Sequence, residues 1–89
     1  MTRTLLTPEG AAEFEALPLA IWARVAAVFE RLGSWPEDSR VKWLRGEWAG
    51  HARIRVGDWR VIFTFVAPDV IVVRIRHRRE VYEEARRGR

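Results

Sequence analysis

The chain contains no cysteine. That rules out a disulfide framework and any zinc or iron–sulfur site held by thiolates, and leaves the compartment open. Lysine is nearly absent: of sixteen basic residues, only Lys42 is not arginine. No uninterrupted run of about eighteen apolar residues occurs, so no membrane span is expected. The N-terminus lacks the basic region, apolar stretch and small-residue site of a secretory leader, which makes the cytoplasm the expected location. No repeat, low-complexity tract or break in composition divides residues 1–89, which read as a single domain. A Gly-rich phosphate loop, a His/Asp/Glu metal spacing and a nucleophile elbow are also missing, so neither a metal nor a cofactor is expected. No helix reads as a DNA recognition helix.

What is present is a small apolar core and an uneven charge. Hydrophobic residues make up 48% of the 89 positions, enough for a folded domain, and five of them are tryptophan. A chain this short buries only part of its surface, so its stability should be modest. Residues 1–50 carry six basic and seven acidic side chains, a net −1, whereas residues 51–89 carry ten arginines against five acids, a net +5. The planar guanidinium fork suits phosphate, and a basic half of this kind points to a nucleic acid or an acidic protein as partner. An arginine-rich composition throughout would explain the preference for Arg over Lys, but not the asymmetry.

Residues 3–7 read as a short strand. Thr7-Pro8 has the form of an N-cap followed by proline at the first helical position, opening a short helix over "PEGAAEFEAL". Pro18 ends it, and a second helix is predicted from about residue 18 to 32. There Ile21, Val25, Val28 and Leu32 recur at steps of four, three and four, and Gly33 is a candidate C-terminal cap. Residues 34–51 lack a clear period and read as an irregular connection, with a strand start near Val41 to Leu44; His51 falls in this loop and receives no role. Trp35, Trp43 and Trp48 either pack beneath the connection or form an apolar patch.

From residue 52 the period becomes two. Gly57-Asp58 is a two-residue hairpin signal that fixes the register: Val56 opposite Trp59, Arg55 opposite Arg60, Ile54 opposite Val61 and Arg53 opposite Ile62. Ala52, Ile54, Val56, Trp59, Val61 and Phe63 then share one face for the helices to cover. Arg53, Arg55, Arg60 and Ile62 share the other. A turn at Ala67-Pro68-Asp69 leads to a third strand, "VIVVRIRH", and the tail from Arg79 is helix-compatible. The expected fold is α+β: a short N-terminal strand, a helical hairpin and a three-stranded antiparallel meander, with the helices on one face of the sheet.

Two arginines directly opposite each other destabilise a sheet by up to about 1 kcal/mol relative to a neutral pair. Either water screens Arg55 and Arg60 on a solvated outer face, or an anion fills the gap between them, for which a phosphodiester is well suited. The third strand adds Arg74, Arg76 and Arg78, with His77 between them and Tyr82 close behind. Neighbouring arginines disfavour a charged histidine, leaving it able to accept a proton. His, Tyr and Arg together suit phosphodiester cleavage: one group takes the proton of the attacking hydroxyl, arginine stabilises the charge on phosphorus, and another group protonates the leaving oxygen. A lone surface histidine with no role is the commoner case.

The segments "KWLRG", "ARIRVGDWRVIF" and "RHRREVY" together resemble the RelE/ParE toxin family of bacterial type II toxin–antitoxin systems. The resemblance covers nearly the whole chain. It implies two helices packed on an antiparallel sheet and a cognate antitoxin that wraps the toxin, the free toxin being a monomer that enters a higher assembly with the antitoxin. For RelE-like members it implies ribosome-dependent mRNA cleavage by 2′-hydroxyl attack on the adjacent phosphate, without metal; ParE-like members instead inhibit DNA gyrase. A degenerate member keeping only antitoxin binding is a third alternative. By this resemblance Arg60 is the phosphate-stabilising arginine, Arg78 the C-terminal arginine and Tyr82 the aromatic that orients a nucleotide. Arg53 and Arg55 stand where some relatives carry lysines that assist proton transfer. Arginine is a poor base, so His77 becomes the expected base, with Glu80 in reserve. Lys42, Arg45, Arg53, Arg55, Arg74 and Arg76 are the expected RNA contacts. Arg76 departs from the small residue common before the histidine.

Overall fold

The computed structural model describes residues 3–31 and 41–77. Strand β1 (Thr4–Leu6) leads into helix α1 (Pro8–Glu15) and helix α2 (Leu19–Arg31). Strands β2 (Lys42–Trp43), β3 (His51–Val56), β4 (Trp59–Val66) and β5 (Asp69–His77) follow, with a 3₁₀ turn over Gly46–Trp48. The strands form one sheet in the order β1-β5-β4-β3-β2, in which β1 runs parallel to β5 and the remaining pairs are antiparallel. The expected α+β class holds. The meander gains a strand at each edge: β1 pairs with β5, and the short β2, near the expected strand start, pairs with β3. His51 opens β3 rather than lying in a loop.

The hairpin register is as the Gly57-Asp58 turn requires, including Arg55 opposite Arg60. Gly57 has φ +61°, a left-handed conformation that favours glycine in a two-residue turn. Ala52, Ile54, Val56, Val61 and Phe63 are buried on the helix side with Val70, Val72 and Ile75 of β5. Val25 and Val28 of α2 complete the core, and Ile21 and Phe29 pack against it. Phe14 of α1 joins the two helices, stacking on Trp22 at 5.2 Å and meeting Phe29 at 5.0 Å.

The strand alternation of β5 contains a conflict. Val70 and Val72 face the core, so strict period two would drive Arg74 and Arg76 into it. The ladder instead slips: Phe63 pairs with Val72 but Ile62 pairs with Arg74, leaving Val73 as an extra residue. This bulge reverses the parity, returning Ile75 to the core and sending Arg74 and Arg76 to the outer face.

Helix α1 is docked on this bulge. The Thr7 hydroxyl caps the helix, accepting from Gly10 N–H at 3.0 Å, and donates to the Val73 carbonyl at 3.0 Å. Thr7 N–H donates to the Val72 carbonyl at 3.0 Å. A Cβ on Gly10 would stand 2.7 Å from the Val72 carbonyl oxygen. Closest approach of helix to strand therefore requires glycine for space, not for backbone conformation. At the other end of β5, Arg3 holds Asp69 through two side-chain hydrogen bonds of 3.2 and 3.1 Å. The bonds from Arg3 hold the Asp69 carboxyl below its ordinary range.

Gly10→Ala should cost about 1–3 kcal/mol through overpacking against backbone, read as a lower urea midpoint with an unchanged slope. The Asp69 contribution is present above the ordinary carboxylate range and is lost as pH falls through the lowered folded value. Asp69→Asn should therefore reduce the dependence of the melting temperature on acid pH; an unaltered acid limb would contradict this assignment.

Candidate functional site: an arginine-lined sheet face

Because paired residues share a face, the register lays out the outer surface of the sheet as two rows. One row is Arg55, Arg60 and Arg76, on three neighbouring strands. The next is Lys42, Arg53, Ile62 and Arg74, on four. Five of the expected RNA contacts and the expected phosphate-stabilising Arg60 thus come together on one face. Arg45 does not join them; it precedes the 3₁₀ turn, outside the ladder.

This face is not a uniformly solvated one. Ile62 is fully buried there, at 0% exposure. Its cross-strand neighbours are Arg53 and Arg74. Arg53 Nη1 is buried and has no hydrogen-bond partner. A buried donor without a partner is costly, by about 1–3 kcal/mol.

The arginines differ in how far their charge is already answered. Glu13 of α1 reaches over the part of β5 that lies beyond its pairing with β1. Its Oε1 accepts from Arg74 Nε at 2.9 Å and from Ile75 N–H at 2.9 Å, and its Oε2 accepts from Arg74 Nη2 at 3.2 Å. Arg76 Nε lies 3.5 Å from the same Oε2. The Arg74 fork is therefore engaged by a carboxylate, and Arg76 is paired to it as well. Arg60 is held against the hairpin, its Nη1 donating to the Trp59 carbonyl at 3.1 Å and the Gly57 carbonyl at 3.3 Å. Arg55 is exposed.

His77 lies apart from the arginine rows. It pairs with Trp59, a core-side residue, and the two rings meet edge to face at 5.5 Å. The expected base therefore lies on the side of the sheet opposite the arginine rows. The cause is the reversed parity beyond Val73, which sends Arg76 outward and His77 inward. Arg78, Glu80 and Tyr82 lie outside the described residues, as do Trp35, Leu32 and Gly33. Of the other tryptophans, Trp43 is 62% exposed and Trp48 meets His51 edge-on at 5.4 Å.

Glu13 was not foreseen. Its only local signal is a spacing of three along Thr7, Gly10 and Glu13, which puts all three on the helix face that meets β5. Among the described residues no cluster of His, Asp and Glu suited to a metal occurs, and no helix is long and apolar enough to cross a membrane.

A family model described as the ParE toxin of type II toxin–antitoxin systems matches residues 6–82. No curated protein matches the chain. Among solved structures, the RelBE2 toxin–antitoxin complex of Mycobacterium tuberculosis is similar, with 26% identity and a TM-score of 0.74 over 84% of this chain and 95% of that one. The RelB–RelE antitoxin–toxin complex of Methanococcus jannaschii has 22% identity and a TM-score of 0.75, covering 90% and 96%. The isolated RelE toxin of Escherichia coli has 18% identity and a TM-score of 0.71, covering 96% and 95%.

Glu13→Gln keeps an acceptor for the Ile75 N–H while removing the charge, so it should cost about 1 kcal/mol, and Glu13→Ala about 2–3 kcal/mol. Chemical unfolding of the two variants checks the order; equal losses would mean that the charge on Glu13 contributes nothing.

Proposed function

The chain belongs to the ParE toxin family of type II toxin–antitoxin systems, and from that membership we propose that it is an endoribonuclease toxin of the RelE-like kind, binding the RNA backbone on its arginine face. The whole of residues 1–89 forms the toxin domain in this reading. Its substrate is mRNA on the ribosome, its inhibitor is a cognate antitoxin, and it works in the cytoplasm. The free toxin is a monomer and enters a larger assembly with the antitoxin. No metal or cofactor takes part.

The observation that carries the reading is the row Arg55–Arg60–Arg76, in register on three strands. In the proposed reaction the ribose 2′-oxygen attacks the adjacent phosphorus. The P–O2′ bond forms and the P–O5′ bond breaks; the proton of the attacking hydroxyl passes to a base and an acid protonates the leaving 5′-oxygen, giving a 2′,3′-cyclic phosphate and a free 5′-hydroxyl. Negative charge builds on the non-bridging oxygens as phosphorus becomes five-coordinate. Guanidinium groups already fixed in place stabilise that charge without reorganising, and Arg60 is so fixed by the turn carbonyls of Gly57 and Trp59. With His77 across the sheet, the reserve candidate Glu80 becomes the proposed base, and Arg78 and Tyr82 keep the roles that the resemblance gives them.

A second reading is favoured by one feature. A gyrase inhibitor of the ParE kind needs no acid–base set, and His77 stands apart from the arginine row. Induction in bacteria separates the two. Cuts in translated mRNA with DNA synthesis continuing support the nuclease; DNA damage signalling with intact mRNA supports the inhibitor. In the nuclease reading Arg60→Ala should lower mRNA cleavage by about 10²–10³-fold, the size of losing one preorganised charge-stabilising donor. His77→Ala should leave cleavage within a few-fold of wild type. The reverse order of effects would restore His77 as the base and remove the assignment made here.

A further inference from the structure

A second group of guanidinium ends meets away from the sheet face. Between α2 and β3 lies a cleft of about 310 Å³ lined by Arg24, Ala27, Val28, Arg31, Arg55 and Val56. Arg24 and Arg31 are seven residues apart on α2, two helical turns, and so stand on one side of it. All three arginines are exposed. Among the described residues none of the three has a carboxylate partner, whereas Arg3, Arg74 and Arg76 do. Carboxylates on α1 and β5 thus answer charge on one side of the molecule and leave it open on the other.

The cleft is continuous with the arginine face by way of the hairpin turn. Arg24 extends from α2 to the turn, its Nη1 3.3 Å from where a Cβ on Gly57 would stand. On the other side of the same glycine, Arg60 Nη1 donates to the Gly57 carbonyl. Arg55 belongs to both regions, being a member of the outer row and of the cleft wall.

We propose that this cleft is a second phosphodiester site, which takes the sugar–phosphate backbone of the same single-stranded RNA whose neighbouring phosphates lie on the arginine face. It rests on the reading of that face as an RNA contact. The volume is at the low end of the roughly 300–1,000 Å³ typical of small-ligand sites, which suits one nucleotide unit. Among the described residues no aromatic side chain lines it, so these residues offer contacts to backbone rather than a stacking platform. Its floor is made of Ala27, Val28 and Val56, small side chains that form no deep pocket for the large apolar anchor on which a peptide partner would depend. A linear polyanion with a charge at every repeat matches a track of cations that turns the corner at Gly57.

The test is the binding of a short fluorescent 2′-O-methyl oligouridylate to the full chain across a salt series. The 2′-O-methyl group removes the attacking hydroxyl, so binding is read without cleavage. The double variant Arg24→Ala/Arg31→Ala should bind about tenfold or more weakly. Its slope of log affinity against log salt should become shallower by about 1.4, at ~0.7 for each single-strand phosphate that the protein no longer neutralises. Both side chains are exposed, and an unchanged melting temperature verifies the fold. Wild-type affinity and slope in the double variant would overturn the cleft site, whatever Arg60→Ala does. Weakening by the double variant but not by Arg60→Ala would support the cleft and remove the sheet-face reading. Loss of binding to a polyglutamate peptide, with RNA binding intact, would make the cleft a peptide site and overturn the proposal.

Discussion

The hydroxyl of Thr7 is the point on which the architecture turns. It accepts from the first turn of α1 and donates to the bulged Val73 of β5, so one side chain ends β1, starts the helix and marks where the neighbouring strand changes parity. Gly10 allows the helix to lie against the Val72 carbonyl. Glu13, one turn further, satisfies the Ile75 N–H that β1 no longer covers. A strand edge left unpaired is a liability in a small sheet; here a helix carries the remedy. Only with the slip at Val73 do the apolar Ile75 and the charged Arg74 and Arg76 reach environments that suit them.

The same docking settles the electrostatics of the outer face. Six basic residues on adjoining strands would repel one another, and among the described residues Glu13 is a carboxylate that moderates them, at the β5 end. Its bonds are charge-assisted and part-buried, the stronger class of hydrogen bond. The consequence is a polarity across the sheet. Cations near α1 are neutralised by the protein itself, while among the described residues Arg24, Arg31 and Arg55 have no carboxylate partner. The balance of attraction for an anion therefore lies toward Arg53, Arg55 and the turn, on the side where Arg24 and Arg31 also stand.

Much of this was legible in the sequence where the determinants are local. Gly57-Asp58 set the register of β3 and β4 residue by residue, Thr7-Pro8 marked the start of α1, and the spacing of Ile21, Val25 and Val28 gave the buried side of α2. The class of fold followed from the order of those elements. What escaped depends on residues distant in sequence. Glu13 and Arg74 are separated by 61 positions, and nothing in either segment names the other. The bulge left a trace, two valines in succession before an arginine, but alternation alone cannot say which residue is extra. Reading "RIRH" as a plain strand places the histidine among the arginines in sequence; the fold puts it through the sheet from them. Arg24 and Arg31 do not stand out when charge is counted along the chain by halves, because the cleft is assembled across the two halves.

The placement of His77 bears on what kind of catalyst this face can be. The imidazole meets Trp59 edge to face, on the other side of the sheet from the row that holds Arg60. In the nuclease reading proposed above, chemistry on this face leans on electrostatic stabilisation of the crowded phosphorus, a contribution that fixed guanidinium groups supply without any proton moving to or from them. Arginine stays protonated, so the arginines of the two rows are poorly suited to proton transfer. Proton transfer alone contributes about 10²–10⁴-fold to such reactions. A toxin that depends on orientation and charge needs its substrate held at several phosphates at once, and a backbone track running from the sheet face round the Gly57 turn to α2 would do that holding.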